Sequence, residues 1–259
     1  MNTEPARGHS HPLSQVISAC IKIFNDLGFE YAEGPEIESE RYNFDALNIP
    51  HHHPARDMWD TFWLKPEQSR KLLRTHTSPV QVRYMETHKP PVRIIAPGKV
   101  YRHEATDATH EMQFYQLEGL AVGPDVTLSN LKWLLEQFFE KFFGTESAVR
   151  FRPSYFPFVE PGVEIDVSCF ACKGKGMVSA EDGASGGARQ CSVCKGTGWI
   201  EIMGAGMVHP HVLTEVGIDP HINSGFAFGV GIDRLAMLKY GIDDVRALYS
   251  GDLRLVHQF

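Results

Sequence analysis

The chain has 259 residues, 42% hydrophobic and 22% charged, with a formal net charge of −7. Such a length buries a substantial core, the composition is that of an ordinary soluble protein, and the acidic balance excludes a globally basic nucleic-acid binder. No apolar run approaches the roughly 20 residues that span a bilayer, and the opening MNTEPARGHSHPLSQ lacks the basic-then-apolar order of a secretory signal, so a cytoplasmic location away from membranes is expected.

Residues 1–10 read as a flexible tail. Leu13, Val16, Ile17, Cys20, Phe24 and Leu27 then recur at helical spacing between Pro12 and Gly28, which predicts an amphipathic first helix with a glycine stop. Strand-like residues follow, and the chain passes Pro35 into a second, charged helix. His51 to His53 read as a polar loop, because three adjacent histidines do not converge on one ion unaided. The run RTHTSPVQ leads into a helix with Pro79 in its first turn and Thr77 or Ser78 as a cap.

Arg93 to Val122 reads as two antiparallel strands around a polar loop from Ala105 to Gln113 that holds neither glycine nor proline. Period-2 geometry sets Arg102 with Glu104 on one face of the first strand, and Gln116 with Glu118 on one face of the second. An arginine, two carboxylates and an amide on one sheet surface fit either a solvated face with cross-strand ion pairs or a binding surface. Loops of this length are often functional, and this one ends in His110 and Phe114. A helix from about Thr127 to Phe143 follows, with a core face of Leu128, Leu131, Leu135, Phe138, Phe139 and Phe142 and a stop at Gly144.

In YFPFVEPG, Pro157 between Phe156 and Phe158 and Pro161 after them stiffen the backbone, and alternation puts both rings on one face, suited to edge-to-face packing around another ring. Both also fit an ordinary core. Residues 202–210, IMGAGMVHP, form a glycine-relieved strand with room for close approach. The end of the chain, SGFAFGVGIDRLAMLKY, predicts a strand running into a helix with Arg234 near the positive helix end. Gly229-x-Gly231 lacks the third glycine and the βαβ setting of a dinucleotide loop.

Cys169-x-x-Cys172 and Cys191-x-x-Cys194 have a spacing typical of a four-cysteine zinc site, and each pair begins a small repeat, CFACKGKG and CSVCKGTG. The repeat also resembles the cysteine-rich region of DnaJ-type chaperones, which carry four copies. A structural Zn²⁺ held by Cys169, Cys172, Cys191 and Cys194 in an inserted hairpin, residues 167–200, is expected, with two disulfides as the alternative that a reducing compartment disfavours.

The order Tyr101-Arg102-His103-Glu104, loop, His110-x-x-x-Phe114 resembles motif 2 of the class II aminoacyl-tRNA synthetases. GFAFGVGIDR resembles their motif 3, with Asp233 where the family usually has Glu, and the first helix, strand and Pro35 resemble the weaker motif 1. The runs RTHTSP, ATHEMQFYQLEG, FPFVEPG, GAGMVHP and SGFAFGVGIDRLAMLKYGI extend the resemblance to the bacterial phenylalanyl-tRNA synthetase α subunits, from about His11 to Phe259 apart from the cysteine insertion. The implied fold is α+β, the class II catalytic core (residues 11–259), an antiparallel sheet flanked by helices with the zinc hairpin inserted.

The resemblance also implies ligands and partners. ATP would be held by Arg102, Glu104, His110, Phe114, Gly229, Gly231 and Arg234, with Arg102 and Arg234 as the catalytic pair and Glu160 as a Mg²⁺ ligand. L-phenylalanine would meet His76, Ser78, Gln81, Gln116 and Glu118 at its polar end, Phe156 and Phe158 at its ring, and Ala227 at the para position. Implied partners are a β subunit, in a heterotetramer of two α and two β chains, and tRNA(Phe). The family's N-terminal coiled-coil arm is expected to be absent or removed. Two rivals are a non-catalytic synthetase paralogue, which would be expected to lose Arg102, Arg234 or the His76/Ser78 pair, and a zinc hairpin that is itself the binding module.

Overall fold

The structure is a computed structural model, and it describes residues 8–51, 61–144, 147–179 and 188–259. Helix α1 spans Pro12–Asp26, with Pro12 in its first turn, where a missing N–H costs nothing. The His11 side chain caps it from one end and Gly28, at φ 83°, turns the chain away at the other. Strands β1 (Glu30–Tyr31) and β2 (Ile37–Ser39) lead to α2 (Glu40–Asn43), so the expected charged helix is a single turn. Polar residues of β2 and α2 are captured one by one: Glu38 by Arg83 at 2.7 Å, Glu40 by Arg70, and Asn43 by Thr75. Strand β3 (Lys71–Leu73) and helix α3 (Ser78–Thr87) follow.

Strands β4 (Val92–Tyr101) and β5 (Gln113–Gly123) pair antiparallel from Val92↔Val122 to Tyr101↔Gln113. The first strand therefore stops before Arg102 and Glu104, although the alternating pattern extends through both. The Glu104 N–H turns back onto the Arg102 carbonyl at 2.9 Å, a tight turn that ends the extended chain. Helix α4 (Leu128–Phe143) begins with a reciprocal cap between Thr127 and Asn130 and ends at Gly144. Strands β6 (Val149–Phe156), β7 (Val159–Ser168), β8 (Met177–Ser179), β9 (Ala188–Gln190) and β10 (Trp199–Val208) come next. The chain closes with α5 (Pro210–Glu215), β11 (Ser224–Gly231), α6 (Ile232–Tyr240) and α7 (Leu253–Val256).

Seven strands form one sheet in the order β1-β4-β5-β11-β10-β7-β6. Every pairing is antiparallel except β1 with β4, which is parallel. Side-chain alternation then separates the two faces. One face carries Leu117, Phe228 and Val230 against α1, α4 and α6, where Phe24 stacks on Phe138 at 4.7 Å and on Phe228 at 5.3 Å. Each such fully buried ring contributes about 1.5–3 kcal/mol. The opposite face packs Leu120, Val122 and Ala227 against Val80 of α3 and Val212 and Leu213 of α5, and its remaining positions carry Gln116, Glu118 and Gly229.

Candidate active site

On that second face a cavity of about 270 Å³ opens between β5, β11, β10 and the start of α3. Its polar end is built around the buried Glu118 carboxylate. The Thr77 N–H donates to it at 3.1 Å, the Ser78 hydroxyl at 2.6 Å and the Gln81 amide at 2.7 Å. Ser78 is therefore spent on Glu118 and not on capping, and Thr77, at the cap position, makes no side-chain cap bond. Burial pushes the Glu118 carboxyl up to about 7, against the pull of those donors. His76 lines the same end. Burial, then the nearby Arg102 charge, takes its imidazole down to about 3, so the ring is neutral at physiological pH. The buried Oε1 of Gln116 has no hydrogen-bond partner among the described residues, which marks an acceptor available to a ligand donor.

The other end is apolar, walled by Phe156, Phe158, Gly204 and Ala227. Phe156 closes β6 while Phe158 sits in the turn before β7, so alternation along one strand is not what aligns them. Their rings lie 6.1 Å apart with planes 27° from parallel. They form two offset plates. Gly204 is required by this close approach, because a Cβ there would meet the Phe156 ring at 2.8 Å.

Arg102 stands at the junction of the cavity and the β4–β5 loop. Its Nε donates to the Thr75 carbonyl at 3.1 Å and its guanidinium lies 5.0 Å from the Phe114 ring centre. The loop itself is organised. The Asp107 carboxylate accepts the N–H groups of Thr109 and His110, and the His110 ring lies 3.0 Å from it. A backbone bond from Val245 to Ala108 pins the loop from outside. Gly229 pairs with Glu118 and Gly231 with Gln116, which sets Arg234, exposed in the first turn of α6, beside the same hairpin. Glu104 is half-buried just past β4, and Glu160 is exposed at the start of β7, outside the cavity lining.

The tRNA synthetases class II core domain (F) family matches residues 1–259. Phenylalanine--tRNA ligase alpha subunits from Dehalococcoides mccartyi and from Caldanaerobacter subterraneus subsp. tengcongensis are each 55% identical to the chain. The matches cover 97% of the chain and 70% and 69% of those proteins. The corresponding subunit of Macrococcus caseolyticus is 54% identical over 97% of the chain and 67% of its own length. The chain belongs to the phenylalanine--tRNA ligase alpha subunit family of class II tRNA synthetases. A crystal structure of pyrrolysyl-tRNA synthetase from Desulfitobacterium hafniense shares the fold, with a TM-score of 0.62 at 19% identity, covering 92% of this chain and 73% of that one.

Within this synthetase core two residues to which local pattern gives no role prove to be ties. Asp233, in the position of the family's usual Glu, is buried. It accepts the Tyr115 N–H at 2.7 Å and the Tyr249 hydroxyl, so it locks α6 to β5 between Phe114 and Gln116. Arg74 is buried beside the cavity and hydrogen-bonded to backbone carbonyls. Neither tie is visible locally, since Arg74 meets Lys99 25 residues further on and Asp233 meets Tyr115 across 118 residues.

The cysteines meet at the far end of β7 and β10. All four are free and buried, with sulfurs within 4.8 Å of one another. Cys169 and Cys191 are 3.8 Å apart and Cys172 and Cys194 are 3.6 Å apart, too far for disulfides. A tetrahedron with metal–sulfur bonds of about 2.3 Å has edges of about 3.8 Å. The repeated Lys-Gly-x-Gly turns aim N–H groups at sulfur, Gly176 at Cys172 at 3.1 Å and Gly198 at Cys194 at 3.3 Å. In the histidine run read as a polar loop, His51 lies 3.2 Å from Glu40, while residues 52 and 53 are outside the described residues. Among the described residues no helix is long and apolar enough to cross a membrane.

Proposed function

We propose that the chain is the catalytic α subunit of a phenylalanine--tRNA ligase, joining L-phenylalanine to ATP as phenylalanyl-adenylate and passing the phenylalanyl group to tRNA(Phe). The observation that carries this reading is the two-ended cavity, apolar at Phe156, Phe158 and Ala227 and polar at Glu118, Gln116 and Ser78. A phenyl ring would pack against the wall that Phe156 and Phe158 form, with Ala227 at its para position. A tyrosine hydroxyl would meet no partner on that wall, which gives moderate rejection. Ionised Glu118 matches the substrate's α-ammonium, and the free Gln116 Oε1 offers it a second acceptor. His76, Ser78 and Gln81 complete the polar end, a neutral His76 adding no competing charge.

In the first step a carboxylate oxygen attacks the α-phosphorus of ATP and pyrophosphate leaves. In the second, a terminal tRNA hydroxyl takes the acyl group and AMP leaves. Both steps depend on placing charge and reactants more than on a protein nucleophile. Arg102, fixed by the Thr75 carbonyl, neutralises charge at the α-phosphate. Phe114 offers its ring to adenine, Gly229 and Gly231 let ATP lie on the backbone, and Arg234, Glu104 and His110 reach the remaining phosphates and ribose side. Mg²⁺ would supply further charge neutralisation, and Glu160 provides the oxygen donor type that ion takes. The four thiolates fit one structural Zn²⁺ with no position left open for catalysis. A β subunit and tRNA(Phe) are the partners of this reading, in a heterotetramer of two α and two β chains.

Phenylalanine-dependent ATP–pyrophosphate exchange, measured with and without a co-expressed β subunit, tests the proposal. Exchange that ignores phenylalanine in the assembled enzyme would overturn it.

A further inference from the structure

Arg74 takes no part in the chemistry above, yet it is one of the most completely buried charges in the chain, 4% exposed. No carboxylate lies within ion-pair distance of it among the described residues. Its guanidinium is met by carbonyls instead: Nε donates to Lys99 at 2.8 Å, and Nη1 to Gly34 at 3.0 Å and Pro35 at 3.4 Å. Its own backbone joins the same two places, the N–H donating to Glu36 and the carbonyl accepting from Tyr101, both at 2.9 Å. An apolar side chain would fill this space without the desolvation cost. What arginine adds is a rigid planar fork that holds several carbonyls in one arrangement.

The four residues that follow carry the polar end of the site. The Thr75 carbonyl holds Arg102 at 3.1 Å, His76 lines the cavity, and Thr77 and Ser78 donate to Glu118. On its outer side Thr75 is gripped by Asn43, whose amide donates to the hydroxyl at 3.0 Å and accepts the N–H at 3.2 Å. Residues 74–78 thus form a strap, anchored on the segment before β2 and on the end of β4, from which the phosphate-binding arginine and the ammonium-binding carboxylate are both oriented.

We propose that Arg74 is a positioning residue for adenylate formation, acting through the strap on Arg102 and Glu118 together; this rests on the function proposed above. Gly98 provides an independent handle. A Cβ at Gly98 would overlap Nη2 of Arg74 and come 3.3 Å from the Thr77 methyl, so Gly98→Ala chiefly pushes the guanidinium off its carbonyls, and crowds the strap slightly, without removing the charge. Arg74→Lys keeps the charge and loses the fork.

The test compares the unmodified enzyme, assembled with its β subunit, with Arg74→Lys, Gly98→Ala and the double variant. It reads thermal melting, kcat, and KM for phenylalanine in pyrophosphate exchange. Displacing groups by about 1 Å costs on the order of 100-fold in kcat/KM, and here the loss should be split, with phenylalanine KM raised as well as kcat lowered. The double variant should be no worse than the poorer single one, because both changes break the same anchor. A reduced fraction of folded enzyme lowers kcat alone, so unchanged KM in both single variants overturns the proposal. So does multiplicative loss in the double variant, or loss of cooperative melting in both single variants. Exchange absent from the unmodified enzyme overturns the functional reading and this inference with it, whereas normal exchange there with unaffected variants removes only the role of Arg74.

Discussion

Two buried polar clusters in this chain are closed by opposite means. Around Glu118 the chain supplies one acceptor group and three donors of its own, so the carboxylate is satisfied before any ligand arrives. At the far end of β7 and β10, four sulfurs crowd within 4.8 Å and receive two backbone N–H groups. The first cluster is complete as hydrogen-bond arithmetic, and under the proposed function it would receive a cationic amino group. The second has donor atoms for a metal in excess of anything the chain offers them, and its geometry makes sense around an ion. A buried polar group is thus informative chiefly through what remains unbalanced about it.

The widest expected effect tests the second cluster. Purified protein is expected to carry one zinc per chain, and Cys172→Ser should lose all of it, since structural zinc is held by apparent free energies of about 10–16 kcal/mol. Elemental analysis showing zinc retained in the variant would place the metal elsewhere. Next comes Arg102→Ala, expected to lower kcat by about 10²–10³, roughly 3 kcal/mol, with an unchanged melting temperature. Near-normal exchange by that variant would remove Arg102 from the phosphate site.

The Glu118 cluster is probed by pH. Burial raises this carboxyl from 4.5 to about 7, so between those values the folded protein holds a proton that the unfolded chain has released. Its contribution to stability is therefore full below about pH 4.5 and is lost as pH rises through about 7. Substrate binding runs the other way, because the ionised form pairs with ammonium: phenylalanine KM should fall as pH rises through about 7. His76, held near 3 in the folded protein against 6.5 in the unfolded chain, does not titrate in the KM profile, but it makes stability rise with pH between those two values and so opposes the Glu118 trend there. Glu118→Gln should flatten the KM profile, remove the fall in stability through about pH 7, and weaken phenylalanine binding by about 1.5–3 kcal/mol. A KM profile that keeps its inflection near 7 in the variant would assign the titration to another group.

The smallest effect concerns the apolar wall. Ala227→Gly should shift the ratio of kcat/KM toward para-chlorophenylalanine by about 1–3 kcal/mol, while Ala227→Val should exclude phenylalanine at a similar cost from overpacking. A ratio that does not move would take Ala227 off the ring's para position.

Elements governed by near neighbours are legible in the amino-acid sequence alone. The apolar stripes of α1 and α4, the Gly28 and Gly144 stops, the β4–β5 hairpin and the cysteine spacing are all set within a few residues. The cavity's composition came through its resemblance to a family and not through periodicity. What escaped depends on partners distant in sequence. Whether β4 includes Arg102 is decided by a turn-back bond and by the Arg74 carbonyl taking the Tyr101 N–H. Ser78 looks like a cap until Glu118 arrives 40 residues later. Nothing near Arg74 or Asp233 in the chain supplies the partners that bury them, which come from Lys99 and Tyr115. The charged stretch after Pro35 has helical composition, yet tertiary partners for Glu38, Glu40 and Asn43 reduce it to one turn.

The position of β11 carries a consequence for how the cavity comes into being. This strand is the last of the sheet to be synthesised, yet it lies between β5 and β10. Until residues 224–231 emerge, the β1-β4-β5 and β10-β7-β6 ribbons each end in an unpaired inner edge, the kind of edge that recruits foreign strands. Insertion of β11 joins them through contacts far apart in the chain, such as Gly229 with Glu118, and such late, non-local pairing is slow. The wall bearing Ala227 and the floor bearing Glu118 are therefore united in a single closing event, so a nascent chain halted before Ser224 would hold every residue of the polar end and still have no pocket.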